Sequence, residues 1–311
     1  MFSSRRLLPI FRDIEVEAVP LWREGKVANY IPALGSVRPD QFSLCIATVD
    51  GKLHEMGDTT TPFSIQSISK LFALTLAIDL IGDEVWDHLG RSPTNSAFNS
   101  LAWIETERGR PYNPFVNAGA LAVTNLIVNR TATPTNAILH FVRDLAHDDE
   151  VDIDFVVGDS ERATCDRNLA IAHLMKAYGT IAGPVETVLD VYCNQCAIAM
   201  TTRQLAIAGL AFAKSGVSAR GRRVIDATNA HRINALLAVA GMYDAAGEFA
   251  FRVGLPAKSG VGGGILAIVP GECAIAVWSP ALDAHGNSSA GMRALEILSQ
   301  RLKLSVFRPP Q

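Results

Sequence analysis

Apolar residues alternate with small or polar ones near both ends of the chain and follow helical spacing in between. The segment "FSLCIATVDGKLHEMGD" alternates in this way around Asp50-Gly51, a dipeptide typical of tight hairpins. The segment "FAFRVGLPAKSGVGGGILAIVPGECAIAVWSP" contains further runs typical of strands, with Pro270-Gly271 as the turn between the last two. We therefore expect strands near both ends of the chain.

The residues between these strands, about 64–245, have apolar positions at helical spacing. Clear examples are "NAILHFVRDLA", "DRNLAIAHLMKAYG" and "TRQLAIAGLAFAKSG", and a closing helix, "SAGMRALEILSQRL", follows the last strand. This order predicts an α/β fold of the α+β type. Strands from both chain ends would form one antiparallel sheet flanked by the first and last helices, with the middle helices as an inserted lobe.

The length of 311 residues suits one large domain or two packed lobes. We expect a single domain over residues 1–311. Its sheet lobe would contain about residues 1–75 and 240–311, and its helical lobe about residues 76–239. A site is expected in the cleft between the two lobes.

Composition and charge exclude several classes of partner. The net charge is −3 and the basic residues are scattered, so nucleic acid is not an expected partner. The longest apolar stretch, "LAIAGLAFA", is too short to cross a membrane, and the first residues do not support a secretory signal. Five cysteines in a long chain fit reduced thiols. We therefore expect a cytoplasmic protein.

Lys70 interrupts the apolar run "FSIQSISKLFALTLAIDLI" three residues after Ser67. On a helix this spacing brings the lysine amine towards the serine hydroxyl. Apolar surroundings lower the pKa of a lysine, so its neutral amine can take the proton of a serine nucleophile. Free backbone N–H groups at the first helical turn would also favour developing negative charge.

A structural interpretation explains the same pair. About 0.4 Ser-x-x-Lys pairs are expected by chance in a chain of this composition. Ser67 could cap the helix while Lys70 extends its amine to water. The pair therefore needs a second element before it indicates catalysis.

Lys-Ser-Gly occurs twice, and serine acyl-transfer enzymes with Ser-x-x-Lys place such a motif on a strand that lines the cleft. The copy at Lys214 ends a helical run and is followed by Gly216, as a helix C-terminus prefers. The copy at Lys258, with Ser259 and Gly260, leads into a glycine-rich strand that another backbone or ligand can approach. We expect the second copy to be functional.

Three other motifs are not interpreted as sites. Cys193-Asn-Gln-Cys196 lacks a second pair of ligands and lies among the middle helices rather than at a strand-to-helix turn, so neither a metal site nor a redox site is expected there. The glycines of "GVGGG" lead into a strand rather than a helix, which does not favour nucleotide binding. The acidic residues of 148–154 lack the glycine and the final glutamate of a calcium-binding loop.

Seven segments in a fixed order resemble the serine-dependent glutaminase family over nearly the whole chain. They are "GKVANYIP", "FSIQSISK", "RPYNPFVNAGA", "SERATCDRN", "LDVYCNQC", "GMYDAAGEFAF" and "LPAKSGVGGGILAIVPG". The resemblance implies a β-lactamase-like fold that hydrolyses L-glutamine to L-glutamate and ammonia without a metal or organic cofactor. It also implies a homo-oligomer, either a dimer or a tetramer.

The resemblance implies a role for each matched residue. Ser67 would be the nucleophile and Lys70 its base, and the backbone N–H groups of Ser67 and Val261 would hold the oxyanion. Tyr243 or Tyr192 would pass a proton to the leaving ammonia, and the residues alone leave this choice open. The implied substrate-binding positions are Tyr30, Ser67, Asn117, Glu161, Asn168, Tyr192, Tyr243 and Val261.

The chain departs from the family pattern beside several of these positions. Asn29 replaces the usual aspartate before Tyr30, and "SPTN" stands before Phe98-Asn99-Ser100 where the family often has "EPSG". Ala163 and Cys165 replace glutamate and glycine between Glu161 and Asn168.

Two alternatives to a glutaminase are compatible with some of the motifs. A β-lactamase or penicillin-interacting acylase would share Ser-x-x-Lys, Tyr192-Cys-Asn194 and Lys258-Ser-Gly, but its cell-wall substrates lie outside the cytoplasm. A catalytically inactive binding member of the fold would not need both Ser67 and Lys70.

Overall fold

Strands from the two ends of the chain meet in one sheet. The computed structural model describes residues 2–93 and 101–308, except for the side chain of Ala102. The segment Phe98-Asn99-Ser100 and part of "SPTN" lie outside the described residues. The strands are β1 Ser43–Thr48, β2 Leu53–Gly57, β3 Phe63–Ser64, β4 Asp152–Ile153, β5 Ile198–Met200, β6 Ala257–Ser259, β7 Gly264–Val269 and β8 Cys273–Trp278.

Helices occupy most of the remaining described chain. The α-helices are α1 Ser4–Glu17, α2 Pro32–Gly35, α3 Ser69–Ile81, α4 Val85–His88, α5 Ala102–Thr106, α6 Asn117–Val128, α7 Pro134–Ala146, α8 Phe155–Ala163, α9 Asp166–Ala177, α10 Val185–Cys196, α11 Thr202–Ala213, α12 Ala227–Ala240, α13 Ala246–Arg252 and α14 Ser289–Leu302. Short 3₁₀ turns cover Val19–Arg23, Gln66–Ile68, Gly82–Glu84 and Tyr243–Ala245. Within the described ranges, none of the helices is both long and apolar enough to cross a membrane.

The main sheet has the order β2-β1-β8-β7-β6, and every pairing is antiparallel. Asp50-Gly51 forms the turn between β1 and β2, and Pro270-Gly271 forms the turn between β7 and β8. Both glycines have a positive φ, which a turn of this kind requires. The predicted fold class is therefore confirmed, with strands from both chain ends in one antiparallel sheet.

The sheet separates two apolar cores, because alternate residues of each strand face opposite sides. Leu44 and Ile46 of β1 belong to a core with residues of α1, α13 and α14. Cys45 and Ala47 belong to a larger core with residues of the middle helices. In this larger core α11 lies close to the sheet, and a Cβ at Gly209 would be 2.7 Å from Leu266 Cδ1.

One predicted strand segment is a helix. Phe249, Phe251 and Val253 alternate as in a strand, but the structure places Ala246–Arg252 in α13. Phe249 and Val253, four residues apart, are buried in the core that also contains residues of α1 and α14, whereas Phe251 is 88% exposed. Helical spacing therefore decides which of these residues reach the core.

A small second sheet was not predicted from the sequence. It has the order β3-β5-β4, and its strands contain only two or three residues each. Such short strands leave no alternation for a sequence pattern to reveal. This sheet leads directly into the segment that carries Ser67.

Candidate active site

Ser67 lies in a 3₁₀ turn, Gln66–Ile68, between β3 and α3. The sequence predicted the first turn of an α-helix, and the α-helix begins two residues later. The chain is fixed before the turn, since Ser64 Oγ donates to Cys196 O at 2.9 Å and Ile65 N donates to Ile198 O at 2.9 Å. Gln66 has a φ of 48°, a backbone conformation that a non-glycine residue adopts only when its surroundings enforce it.

Lys70 is buried in the first turn of α3, with 1% of its surface exposed. Its Nζ donates to Asn117 Oδ1 at 2.7 Å and to Phe115 O at 3.2 Å. Burial lowers the pKa of the ammonium to about 8, and nearby acidic groups, including Glu161, oppose this shift. The lysine therefore does not extend to water, and near neutral pH part of the population carries a neutral amine.

Tyr243 connects the Ser67 turn with the Lys258-Ser259-Gly260 segment. Its side chain shares a hydrogen bond with Ser67, and its hydroxyl donates to Ser259 O at 3.4 Å. Burial raises the pKa of the phenol, which is therefore protonated at neutral pH. Like Gln66, Tyr243 has a positive φ, of 55°.

Lys258 lies behind Tyr243, with its Nζ 4.4 Å from the centre of the tyrosine ring. This Nζ donates to Ser259 O at 2.7 Å and to Gly241 O at 2.9 Å. Burial and the positive charge of Lys70 lower the pKa of Lys258 well below its usual value. Lys258 thus contacts the Tyr243 ring and binds the backbone carbonyls of Gly241 and Ser259 on either side of the Tyr243 turn in the chain.

Gly260 brings the end of β6 against the Ser67 turn. A Cβ at this position would be 2.4 Å from Ile65 O and 3.2 Å from Ser67 N. Only glycine allows so close an approach of two backbones. Val261 follows Gly260 in the chain and lines the same cavity as Ser67.

Glu161 is a buried carboxylate in α8, on the opposite wall. It accepts a hydrogen bond from Gln66 Nε2 at 3.2 Å. Burial raises the pKa of Glu161 to about 7, whereas hydrogen bonds from Gln66 and Cys196 and the charge of Lys70 lower it. A buried carboxylate without a full counter-charge is suited to a cationic ligand.

Asn117 and Asn168 continue this polar wall. Asn117 begins α6, and its Nδ2 donates to Asn168 Oδ1 at 2.8 Å while its Oδ1 accepts from Lys70. Tyr192, in α10, is buried, and it shares a hydrogen bond with Cys196. Tyr30 is more than half exposed and lies at the entrance.

These residues line one cavity of about 250 Å³. Its lining residues are Tyr30, Ile31, Gln66, Ser67, Asn117, Glu161, Thr164, Cys165, Arg167, Asn168, Tyr192 and Val261. Each substrate-binding position implied by the resemblance is in this set except Tyr243, which contacts Ser67. Four other predicted site residues are not among those that line the cavity, namely Lys70, Lys258, Ser259 and Gly260.

Several lining residues were not predicted from the sequence. Gln66, which orients Glu161, lies inside "FSIQSISK" directly before Ser67, and its place in that motif was the only available signal. Arg167 lies beside Asn168 inside "SERATCDRN" and adds a cation to the cavity wall. Ile31 and Thr164 have no chemical signature in a sequence.

The Lys-Ser-Gly copy at Lys214 has the structural role that was predicted for it. Helix α11 ends at Ala213, and Lys214 is the residue that caps it. Lys214 Nζ donates to Ser218 O at 3.1 Å, and Gly216 has a φ of 87°.

Comparisons with known proteins agree on one family. The glutaminase family model matches residues 25–307 of this chain. The glutaminase of Psychrobacter cryohalolentis is 51% identical over 301 residues, which are 96% of this chain and 98% of that protein.

Solved structures of similar proteins give the same result. The structure of a probable glutaminase, ybaS, aligns with a TM-score of 0.93 and 37% identity, covering 99% of this chain and 100% of the other. Mglu in its glutamate form aligns with a TM-score of 0.91 and 33% identity, covering 100% of this chain and 72% of the other.

Proposed function

This chain belongs to the glutaminase family, whose reaction is the hydrolysis of glutamine, and we propose that Ser67 performs it through a covalent acyl-enzyme. The observation that carries the proposal is the position of Ser67. It lines a small polar cavity, and a buried lysine with a pKa of about 8 follows it by three residues. L-Glutamine is the substrate, and L-glutamate and ammonia are the products.

In the first step, the Ser67 hydroxyl attacks the carbon of the side-chain carboxamide. Lys70 takes the hydroxyl proton, either directly or through the hydrogen-bonded Tyr243. The oxyanion is held by the backbone N–H groups of Ser67 and Val261, and the close approach of Gly260 supports this pairing. No step needs a metal or an organic cofactor.

In the second step, the carbon–nitrogen bond breaks and the leaving nitrogen takes a proton to depart as ammonia. We assign this transfer to Tyr243 rather than to Tyr192. Tyr243 shares a hydrogen bond with Ser67, whereas the hydroxyl of Tyr192 is engaged with Cys196. Water then attacks the ester, releasing glutamate and restoring the Ser67 hydroxyl.

The other lining residues bind the amino-acid end of the substrate. Glu161 pairs with the α-ammonium, which lowers the pKa of this carboxyl and keeps it ionised. Asn117, Asn168, Tyr30 and Tyr192 donate or accept the remaining hydrogen bonds of the zwitterion. Lys258, Ser259 and Gly260 support the Tyr243 turn. The similar structure of Mglu in its glutamate form supports the proposal that this cavity accepts the product glutamate.

A coupled ammonia assay with glutamine, asparagine and a β-lactam tests the function. We expect ammonia release from glutamine to be much faster than from asparagine. Ser67→Ala should lower the glutamine rate by at least about 10³-fold, whereas Ser4→Ala, at an exposed position, should not change it. Equal rates for wild type and Ser67→Ala would refute the proposal. Labelling of Ser67 by a fluorescent penicillin without ammonia release would favour the acylase.

We propose further that residues 1–311 form one catalytic domain, divided into the sheet lobe and the helical lobe defined above. We also propose that the protein works in the cytoplasm, a compartment in which free cysteines such as its five are ordinarily reduced. Exposed apolar side chains at Phe155, Val156 and Phe251 support assembly into a dimer or tetramer, which light scattering can test.

A further inference from the structure

Cys165 and Cys193 form a thiol pair at the wall of the cavity. Cys165 lies between α8 and α9, is partly exposed and lines the cavity. Cys193 is fully buried in α10. The two side chains are in hydrogen-bonding contact.

The pair is surrounded by substrate-binding residues. Cys165 follows Glu161 by four positions and precedes Asn168 by three, and Cys193 follows Tyr192. The short connection between α8 and α9, which includes Thr164 and Cys165, therefore joins two residues that bind the substrate. Any movement of Cys165 towards α10 also moves that connection.

We propose that Cys165 and Cys193 are oxidised to a disulfide that reversibly inactivates the enzyme. A disulfide needs a sulfur–sulfur distance of about 2 Å, which is shorter than any hydrogen-bonding contact between thiols. Cys193 is held inside a helix, so the connection that carries Cys165 must move. A displacement of about 1 Å at a reacting site can lower a rate by about 100-fold.

The chemistry requires an oxidant such as hydrogen peroxide. The Cys165 thiol attacks one peroxide oxygen, which breaks the oxygen–oxygen bond, releases one water molecule and leaves a sulfenic acid. The Cys193 thiol then attacks this sulfur and releases a second water molecule as the disulfide forms. Two thiols thus lose two electrons and two protons, and peroxide is reduced to two waters.

The exposure of the two residues sets the order of these steps. Peroxide can reach Cys165 from the cavity, whereas Cys193 and Cys196 are buried. Burial raises the pKa of both Cys165 and Cys193, so at neutral pH the reaction is slower than at an activated thiol.

The test uses the purified full chain, treated with hydrogen peroxide, freed of peroxide, and assayed with and without dithiothreitol. We expect the wild type to lose at least about tenfold in ammonia release and to recover with dithiothreitol. Cys165→Ser should retain its own untreated activity after the same treatment. Cys273→Ala, which removes a buried thiol in β8, should remain as sensitive as the wild type.

Peptide mass spectrometry tests the disulfide without reference to activity. After trypsin, a bond between Cys165 and Cys193 joins residues 163–167 to residues 177–203, with a loss of two hydrogens. Fragment ions must place the bond at Cys193, because Cys196 lies in the same peptide. The activity readout depends on the proposed function, and the mass readout does not.

Three outcomes would overturn the proposal. They are equal sensitivity of Cys165→Ser and wild type, protection of Cys273→Ala, and a mass spectrum with oxidised Cys165 beside a free Cys193. A wild type that forms the disulfide but never hydrolyses glutamine would instead refute the proposed function. Cys193→Ala adds a second test, and the Cys165→Ser comparison stands even if that variant does not fold.

Discussion

At the scale of single residues, the site depends on ionisable groups that the protein keeps partly in the uncharged form. Lys70 and Glu161 are both buried, and burial opposes the charge of each. Lys70 donates hydrogen bonds to Asn117 and Phe115, and Glu161 accepts one from Gln66, and none of these three partners carries a compensating charge. In the proposed mechanism, the substrate supplies an ammonium for Glu161, and the Ser67 hydroxyl supplies a proton for Lys70.

Lys70→Arg tests the base. An arginine remains charged at all accessible pH values, so it cannot accept the Ser67 proton. We expect kcat for ammonia release to fall by at least about 100-fold, while Lys176→Arg, an exchange at an exposed lysine, stays at the wild-type rate. A Lys70→Arg enzyme with wild-type kcat would show that another group is the base.

The pH profile of wild-type kcat should follow the same lysine. Below about pH 8 most Lys70 amines carry a proton and cannot accept another, so kcat should rise as the pH passes through about 8 and then level off. Rates measured between about pH 6 and 10 test this sign. A profile that declines through this window would contradict the role of Lys70.

Glu161→Gln tests how much the buried, ionised carboxylate of Glu161 lowers the free energy of unfolding. The folded pKa of about 7 lies above the unfolded value of 4.5, so the folded state holds the proton more tightly between these values. Wild-type stability relative to Glu161→Gln should therefore be greatest below about pH 4.5 and decrease by about 3 kcal/mol as the pH rises past 7.

Denaturant unfolding at several pH values measures this difference. Glu186→Gln, at an exposed position in α10, is the matched control and should show no such trend. A pH-independent difference between wild type and Glu161→Gln would show that the carboxyl has the same pKa in the folded and unfolded states.

At the scale of secondary-structure elements, the site is made by turns that helices and strands hold in place. Gln66 and Tyr243 both have a positive φ, and both lie in 3₁₀ turns directly before an α-helix. The end of β6 contacts the Gln66 turn at Gly260, and Lys258 of β6 lies against the ring of Tyr243 in the other turn. Non-glycine residues at positive φ are costly, so the surrounding structure must hold both turns in this conformation.

Gly260→Ala tests the contact between β6 and the Ser67 turn. The new Cβ would meet Ile65 O at 2.4 Å, so one backbone must shift away from the other. We expect kcat to fall by at least about 10-fold, because both oxyanion donors adjoin this contact. In Gly247→Ala the new Cβ meets nothing within 4 Å, and this control in α13 should keep the wild-type kcat. Unchanged kcat in Gly260→Ala would place the oxyanion elsewhere.

At the scale of the whole molecule, the sheet separates the core that carries the site from the core beneath α1, α13 and α14. Ile65, Ile68 and Val261 belong to the first core, together with the middle helices. Leu295 and Leu298 of α14 belong to the second core. Loss of packing in the second core should therefore lower stability before it changes catalysis.

Leu298→Ala tests this separation. The side chain is fully buried, so its truncation should lower the free energy of unfolding by about 2–5 kcal/mol. Because the site lies on the other face of the sheet, kcat/KM below the unfolding transition should stay close to the wild-type value. Leu80→Ala, at a 42% exposed position, should change neither quantity by much. A Leu298→Ala enzyme that folds fully but has a much lower kcat/KM would show that the two cores are coupled.

The sequence predicted the elements whose pattern is local. The β1–β2 and β7–β8 hairpins, α7, α9 and α11 and the closing helix α14 are confirmed. The alternation of apolar residues over 249–253 wrongly predicted a strand. The segment is helical, and the buried residues Phe249 and Val253 are four positions apart. The strands of the second sheet are too short for any pattern, and only pairing with distant segments makes them strands.

By itself, the sequence determined which residues are candidates for the site, because the motifs occur in family order. The apolar run around Lys70 also indicated that its amine is buried. The sequence could not determine which of these residues form hydrogen bonds with each other. Gln66 meets Glu161 across 95 positions, and Lys70 meets Asn117 across 47. Only the tertiary structure brought these groups together, removed them from water and shifted their pKa values, because burial and long-range contacts exist only once the chain has folded.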